Sequence, residues 1–458
     1  MMTAEQLKGA ILQLAMQGNL VEQRTSEREV VFKKGKSKET EELDFEIPMT
    51  WITAHLETVV DSVASKQYQI KESEVKPEGE YRVISQSKEY SIGYCNDKSK
   101  LYHHEQPVIV FGDHTTEVKF IDFDFIVGAD GIKIFNPNID IIEPRFLFYQ
   151  LQFYARGLNK VGGYSRHYKF IKNKPIVIPP LAEQKRIVAK IEELMPFVDQ
   201  YAAASTKLNA LNASFPEMMK KSILQEAVQG KLVPQDSNDE PASLLLKKIA
   251  EEKKRLIKEG KIKKQKPLPD ITEDEIPFDI PESWEWVRLG SILKLLTDGT
   301  HKTPHYVAEG VPFISVKDMS SGSISFSNTK FITEKEADEL NTRCNPERGD
   351  VLLSKVGTTG VPAPVDTNIK FSLFVSVALL KFNTDLINRD YLINVINSPC
   401  VQKQCAENTR GVGNKNWVMR DIANTLIPIA PLREQERIVI ELKRIIPQVS
   451  ILEQKMER

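Results

Sequence analysis

The chain has 458 residues, 41% of them hydrophobic and 27% charged, with a formal net charge of -1 and a mean hydropathy of -0.32. That length exceeds what one hydrophobic core usually serves, so two or more domains are expected in an ordinary soluble protein. No run reaches the roughly 18 to 20 apolar residues of a membrane span, no signal-peptide core stands at the N-terminus, and the cytoplasm is the expected compartment. Four cysteines, Cys95, Cys344, Cys400 and Cys405, show neither disulfide-framework density nor a CxxC pair, so a zinc site is not expected. With balanced charge, any surface for nucleic acid must be local.

Taken in chain order, residues 1–23 read as a helix ending in Ile11 to Gln23, a phrase that returns as Ile223 to Gln235 with 9 of 13 identities. A linker, 24–44, follows. Residues 45–180 are rich in Val, Ile, Phe and Thr in short alternating runs, the pattern of a β-rich globular domain. Residues 181–235 form a helical region opened by Pro180-Leu181-Ala182-Glu183-Gln184-Lys185-Arg186-Ile187-Val188. Over positions 180–200 and 431–451 the copies share 9 of 21 residues. Ile187, Ile191, Leu194, Val198, Tyr201, Leu208 and Phe215 fall on one stripe with 4-3 spacing, which suits an antiparallel helix pair. Pro196 and Pro447 sit at equivalent places in the two stripes and imply either a shared kink or the end of a short first helix.

Residues 236–275 change character. Ala242 to Lys258 reads as a charged helix, and the basic run from Lys253 to Lys266 is either a solvated face or a phosphate-contacting arm. A second β-rich domain spans 276–430, and it opens on Ile280-Pro281-Glu282-Ser283-Trp284 as the first opens on Ile47-Pro48-Met49-Thr50-Trp51. Residues 431–458 form a final helix. If the termini meet, 1–23 packs beside 431–458 and completes the second copy as a closed, pseudo-twofold object. The expected fold class is α+β: two β-rich globular domains separated by long antiparallel helices.

No catalytic signature in the sequence is complete. Gly35-Lys36-Ser37 lacks the first glycine of a phosphate loop, since position 30 is Val30. Asn136-Pro137-Asn138 lacks the second proline and the aromatic of an amino-methyltransferase motif. Glu183-Gln184-Lys185 is matched by a copy with Glu436 in place of the lysine, which favours a helix start over half of a nuclease motif. His103-His104 has no carboxylate at metal-ligand spacing. No metal site, catalytic residue or bound cofactor is expected.

Binding chemistry remains. Between Pro144 and Ala182 there is no Asp or Glu, while Arg145, Arg156, Lys160, Arg166, Lys169, Lys172 and Lys174 are interleaved with Phe148, Tyr149, Phe153, Tyr154, Tyr164, Tyr168 and Phe170. Cations suit phosphates and aromatics suit sugars or bases, unless those rings are simply core. Within this stretch Gly162, Gly163, Tyr164, Ser165, Arg166, His167 and Lys169 form a candidate DNA-binding loop. Its counterpart in the second domain holds Arg410, Asn414, Lys415, Asn416 and Trp417, a different set of base-reading side chains. Thr300, His301 and Lys302 in one further loop, and Lys355, Thr358 and Thr359 in another, are candidate contacts, with ordinary hairpins as the alternative.

The duplicated Pro-Leu-x-Glu-Gln-x-Arg-Ile-Val start, the Gln-Gly-x-Leu-Val phrase, Asp239-Glu240-Pro241-Ala242 and the Ile-Pro-x-x-Trp openings together resemble the specificity subunits of type I restriction-modification enzymes. The resemblance covers essentially the whole chain. It implies two target-recognition domains, each reading half of a split sequence in double-stranded DNA, and helices that set the spacer and dock two modification subunits. By the same resemblance Glu183, Gln184, Arg186, Glu434, Gln435 and Arg437 are candidate docking residues. S-adenosylmethionine, ATP and magnesium chemistry is expected on the modification and restriction subunits. The absence of a net positive charge departs from the simplest form of a DNA-reading chain. The readings from other classes are a self-sufficient methyltransferase or nuclease and a coiled-coil protein scaffold.

Overall fold

The computed structural model describes residues 2–24, 26–27, 42–128, 131–158, 166–411 and 415–456. The chain divides into two compact units, Met1–Leu208 and Asn209–Arg458. One helix, Leu181–Val228, runs through the boundary.

In the first unit the recognition domain opens on strand Ile52–His55 and closes on Pro175–Ile178, paired antiparallel with Ile52 opposite Ile178. Chain entry and exit therefore lie side by side, and the closing strand passes through Pro179 and Pro180 directly into the long helix. Between them a four-stranded antiparallel sheet runs in the order Val60–Val63, Ile132–Pro137, Val108–Gly112, Val118–Ile121. A three-stranded sheet, Gly93–Cys95, Tyr81–Ile84, Phe125–Val127, contains one parallel pair.

The central strand Val108–Gly112 is buried at every position, and the period-2 alternation of a strand explains why. Ile109 and Phe111 point into one apolar cluster, with Phe135, Trp51, Leu12 and Ile187. Val108 and Val110 point into another, with Ile84, Phe125 and Ile134. The sheet is thus covered on both faces, and one of its cores is shared with the helices.

The second unit repeats this plan with other residues. Glu285–Arg288 pairs with Leu426–Ile429, and a four-stranded sheet runs Leu295–Asp298, Val377–Lys381, Val351–Ser354, Pro362–Pro364. Val351 and Leu353 enter the cluster that includes Trp284 and Ile438, while Leu352 enters the one with Ile314 and Phe371. Again a second sheet contains one parallel pair, Val311–Ile314 with Ser372–Leu373.

Helix Ala4–Met16 begins with a capping box, Thr3 accepting from the Gln6 amide while the Gln6 side chain accepts from Thr3 N. It ends at Gly18, φ 71°, with Asn19 N bonding Leu14 O. The second copy ends identically, at Gly230, φ 70°, with Lys231 N on Glu226 O. A side chain on Gly18 would collide with the Pro48 ring, and one on Gly230 with Pro281. The Gln-Gly of one repeated phrase therefore seats the Ile-Pro of the other.

Within its own unit the N-terminal helix packs on the long helix: Ile11, Leu12, Ala15 and Met16 share a core with Ile187, Ile191 and Val198, and Tyr201 donates to Met2 O at 2.6 Å. In the second unit, Ala227 and Val228 pack with Ile438, Val439 and Leu442, and Lys220 reaches Glu453 at 3.2 Å. These are antiparallel pairs, and each joins the elements that flank one recognition domain. Along the apolar stripe Ile187, Ile191 and Val198 are buried and Leu194 is half-buried, whereas Leu208 and Phe215 are exposed. Helix Leu181–Val228 continues through Pro196, and Leu432–Met456 through Pro447, so neither proline ends a helix. Ala242–Lys258 is a helix that buries Ala242, Leu245 and Ile249.

Candidate nucleic-acid interface

The strongest constellation built by the repeated residues lies inside each unit. Glu183, 1% exposed, accepts from Trp51 Nε1 at 3.0 Å and from Gln23 Nε2 at 2.5 Å. Glu434, also 1% exposed, accepts from Trp284 Nε1 at 3.0 Å and from Gln235 Nε2 at 2.5 Å. Burial raises both carboxyls above the usual glutamate value, and the donated hydrogen bonds offset part of that rise. Gln184 caps Ile141 O and Pro179 O and accepts from Glu143 N. Gln435 does the same with Ala430 O and Asn388 N. Arg186 grips Glu27, and Arg437 grips Asp239 at 2.7 Å.

This corrects the docking assignment for Glu183, Gln184, Glu434 and Gln435. Buried side chains whose polar atoms are already bonded within the chain have no surface to offer a partner; they join helix to recognition domain. Arg186 and Arg437 are partly exposed, but each is held by a carboxylate of its own unit.

The expected DNA-contacting residues of the second domain gather at one sheet edge. Lys355 follows the central strand and bonds Trp417 N through its carbonyl at 2.8 Å, while Gly357 N donates to Lys415 O. Thr359 and Thr409 hydroxyls meet at 3.3 Å, and Thr409–Arg410 pairs with Asn416–Trp417. Asp298, at the end of the first strand, accepts from Lys355 Nζ at 3.0 Å and lies 3.2 Å from His301 Nε2. The loops holding Thr300, Lys355 and Arg410 to Trp417 are therefore tied together.

Not all of them face outward. Lys302, Thr358, Arg410 and Lys415 are exposed, and Thr300, Thr359 and Asn416 half-buried. Trp417 is 0% exposed and Lys355 4%, so these two anchor the edge instead of meeting a base. The Trp417 indole N–H has no acceptor among the described residues.

In the first domain the same join recurs: His167 N donates to Asp113 O at 2.7 Å and Tyr168 N to Asp113 Oδ1 at 2.8 Å. His167 is buried, whereas Arg166 and Lys169 are exposed. Gly162, Gly163, Tyr164, Ser165 and Asn414 lie outside the described residues, as do Gly35, Lys36 and Ser37. The aromatics of the acid-free stretch are mostly structural. Tyr149 is buried, Phe148 packs on Phe120, and Tyr154 donates to Pro175 O. Arg145 lies over Phe120 at 4.3 Å and pairs with Glu192.

Sequence reading missed Asp113, Asp298 and Arg343, since carboxylates within a cationic surface, and a single arginine in the turn after the helix Glu334–Asn341, carry no motif. Alignment of the two domains could have flagged Asp113, because it follows Val108–Gly112 as Lys355 follows Val351–Ser354. His103 pairs with Asp124 at 2.5 Å, and among the described residues no cluster of metal-ligating side chains occurs. None of the described helices is long and apolar enough to cross a membrane.

The two domains thus share one topology and one kind of helical join, with different residues at the equivalent positions. The profile for the type I restriction modification DNA specificity domain matches residues 48–210 and 281–458, and the chain belongs to that family. It is 30% identical over 373 residues to the type I restriction enzyme EcoAI specificity subunit of Escherichia coli, covering 70% of this chain and 62% of that one. It is 32% identical over 276 residues to the EcoEI specificity subunit of the same organism, covering 50% and 46%. These matches span less than two thirds of either relative's length. Among solved structures, the HsdS subunit from Thermoanaerobacter tengcongensis is 18% identical with a TM-score of 0.43, covering 90% of this chain and 93% of that one.

Proposed function

We propose that this chain is the non-catalytic DNA-reading subunit of a type I restriction-modification complex, each recognition domain reading one half of a split target in double-stranded DNA. The observation that carries the reading is the duplicated frame with unlike edges: Arg166 and Lys169 near one anchor, and Lys302, Arg410 and Lys415 near the other. Exposed cations hold phosphates, and the exposed Arg410 on the tied loops reads a base edge.

Modification subunits dock on the outer faces of the repeated helices, where Leu211, Phe215 and Met218 on one helix and Ile440 and Ile451 on another are exposed. Those subunits supply methyl transfer from S-adenosylmethionine, and any base flipping belongs to them. Restriction subunits supply the ATP- and magnesium-dependent chemistry. The length of the continuous helix sets the unread gap between half-sites.

The test is co-expression with a candidate modification subunit and genome-wide mapping of methylated adenines. A split motif supports the reading. A contiguous motif, or no methylation, overturns it.

A further inference from the structure

In the second unit, Asp298 organises a cluster in which three of its four members carry cationic or titratable nitrogen. Lys355 Nζ sits 3.0 Å from Oδ2, His301 Nε2 3.2 Å from the same oxygen, and Arg343 Nη2 3.1 Å from Oδ1. Arg343 Nη2 also donates to Asp298 O at 2.6 Å and Gly299 O at 2.7 Å. Of the cluster, His301 and Arg343 line a cavity of about 430 Å³, together with Thr300, Lys302 and Glu339. Counting Lys302, Arg343 and Lys355 against Asp298 and Glu339 leaves a surplus of one positive charge before His301 is considered.

The way Arg343 is held decides which DNA group it suits. Guanine is read by two adjacent guanidinium donors, and both such edges of the fork include Nη2. Here Nη2 is consumed by three acceptors of the chain. Nη1 and Nε have no acceptor among the described residues, but they do not share an edge. Each can make a single charge-assisted bond, which is what a phosphate oxygen takes. The Arg343 side chain is 57% exposed and that of His301 65%, so both reach solvent, whereas Lys355 at 5% does not.

We propose that Arg343, with Lys302 and His301, forms a seat for one DNA backbone phosphate on the second domain, and that Asp298 is the positioning residue that fixes it. This rests on the DNA-reading function proposed above. The seat sets the register of the domain on the duplex and reads no base.

The test uses the full chain co-purified with its modification subunit and a fluorescent duplex carrying the methylated motif, titrated from low to moderate salt. R343A and K302A are each expected to weaken binding and to make the slope of log affinity against log salt shallower by about 0.9, one released counterion. R343K, which keeps the charge, is expected to recover most of that slope, and the motif methylated in cells should stay unchanged in every variant. An unchanged affinity and slope in R343A overturns the assignment. Relaxation of one base in a half-site also overturns it, because Arg343 would then be reading sequence. The two readouts separate: loss of the split motif from the wild-type methylome fails the function proposed above, whereas an unaltered slope fails the phosphate seat.

Discussion

Gln235 donates its side-chain amide to Oε1 of Glu434 at 2.5 Å, joining residues 199 positions apart. Gln23 makes the same bond to Glu183 across the other domain. Each pair closes a recognition domain into a loop that begins and ends on the helices. The two repeated phrases of the sequence are thus the two halves of one clasp, present once in each unit.

Removing a donor from this clasp leaves a buried carboxylate oxygen unsatisfied. Trp51→Phe and Trp284→Phe are each expected to lower stability by about 1.5–3 kcal/mol, the range for hydrogen bonds to charged groups. Calorimetric unfolding of the full chain checks this. An unshifted profile for either variant would mean that the indole N–H contributes nothing to the join.

The helix-ending glycines separate backbone strain from steric collision. Gly260 has φ 70° with open space around it, so Gly260→Ala should cost about 1 kcal/mol from the left-handed conformation alone. Gly230→Ala has the same φ and also meets the Pro281 ring. Its loss should exceed that of Gly260→Ala by about 1–3 kcal/mol, the range for overpacking. Equal losses in denaturant unfolding would remove the role given to Pro281.

The raised carboxyls of Glu183 and Glu434 give a pH dependence with a definite sign. A folded-state value above the unfolded one means that the native chain binds more protons between the two. The contribution is therefore fully present below the ordinary glutamate range and is lost as pH rises through the raised value. Referenced to the non-titrating Glu183→Gln and Glu434→Gln variants, the wild type should gain stability as pH falls toward the ordinary value of 4.5. A difference profile of opposite slope would show that the hydrogen bonds from Trp and Gln outweigh burial.

Asp298 and Lys355 form a buried pair, so breaking it on one side is expensive. Asp298→Asn should destabilise the second domain by about 3–5 kcal/mol, because Lys355 is left charged and uncompensated. Lys355→Met added to Asp298→Asn should recover a large part of that loss. A double variant no more stable than Asp298→Asn alone, in thermal unfolding, would place the cost elsewhere.

Much of the frame was legible in the sequence. The paired Ile-Pro-x-x-Trp openings, the strand-rich segments and helix Ala242–Lys258 were visible because each is a local pattern of apolar spacing or turn residues. The candidate loops of the second domain were legible as loops, and the structure ties them to one edge. What was not legible was direction. Trp417 and Lys355 resemble contact residues in sequence, yet they are buried anchors, since burial depends on partners such as Asp298, 57 positions from Lys355. The same holds for Glu183 and Glu434, which the family resemblance makes candidate docking residues and which are 1% exposed.

The sequence by itself determined that the chain contains one frame twice, because identity at Gln17-Gly18 and Gln229-Gly230, or at Glu183-Gln184 and Glu434-Gln435, needs no coordinates to be seen. Only the tertiary structure decided how the copies are assembled. The first phrase closes on 183–201 and the second on 434–453, each across its own domain. A repeat records which residues share an environment, whereas pairing is set by which apolar faces can be buried together once the intervening sheet has folded.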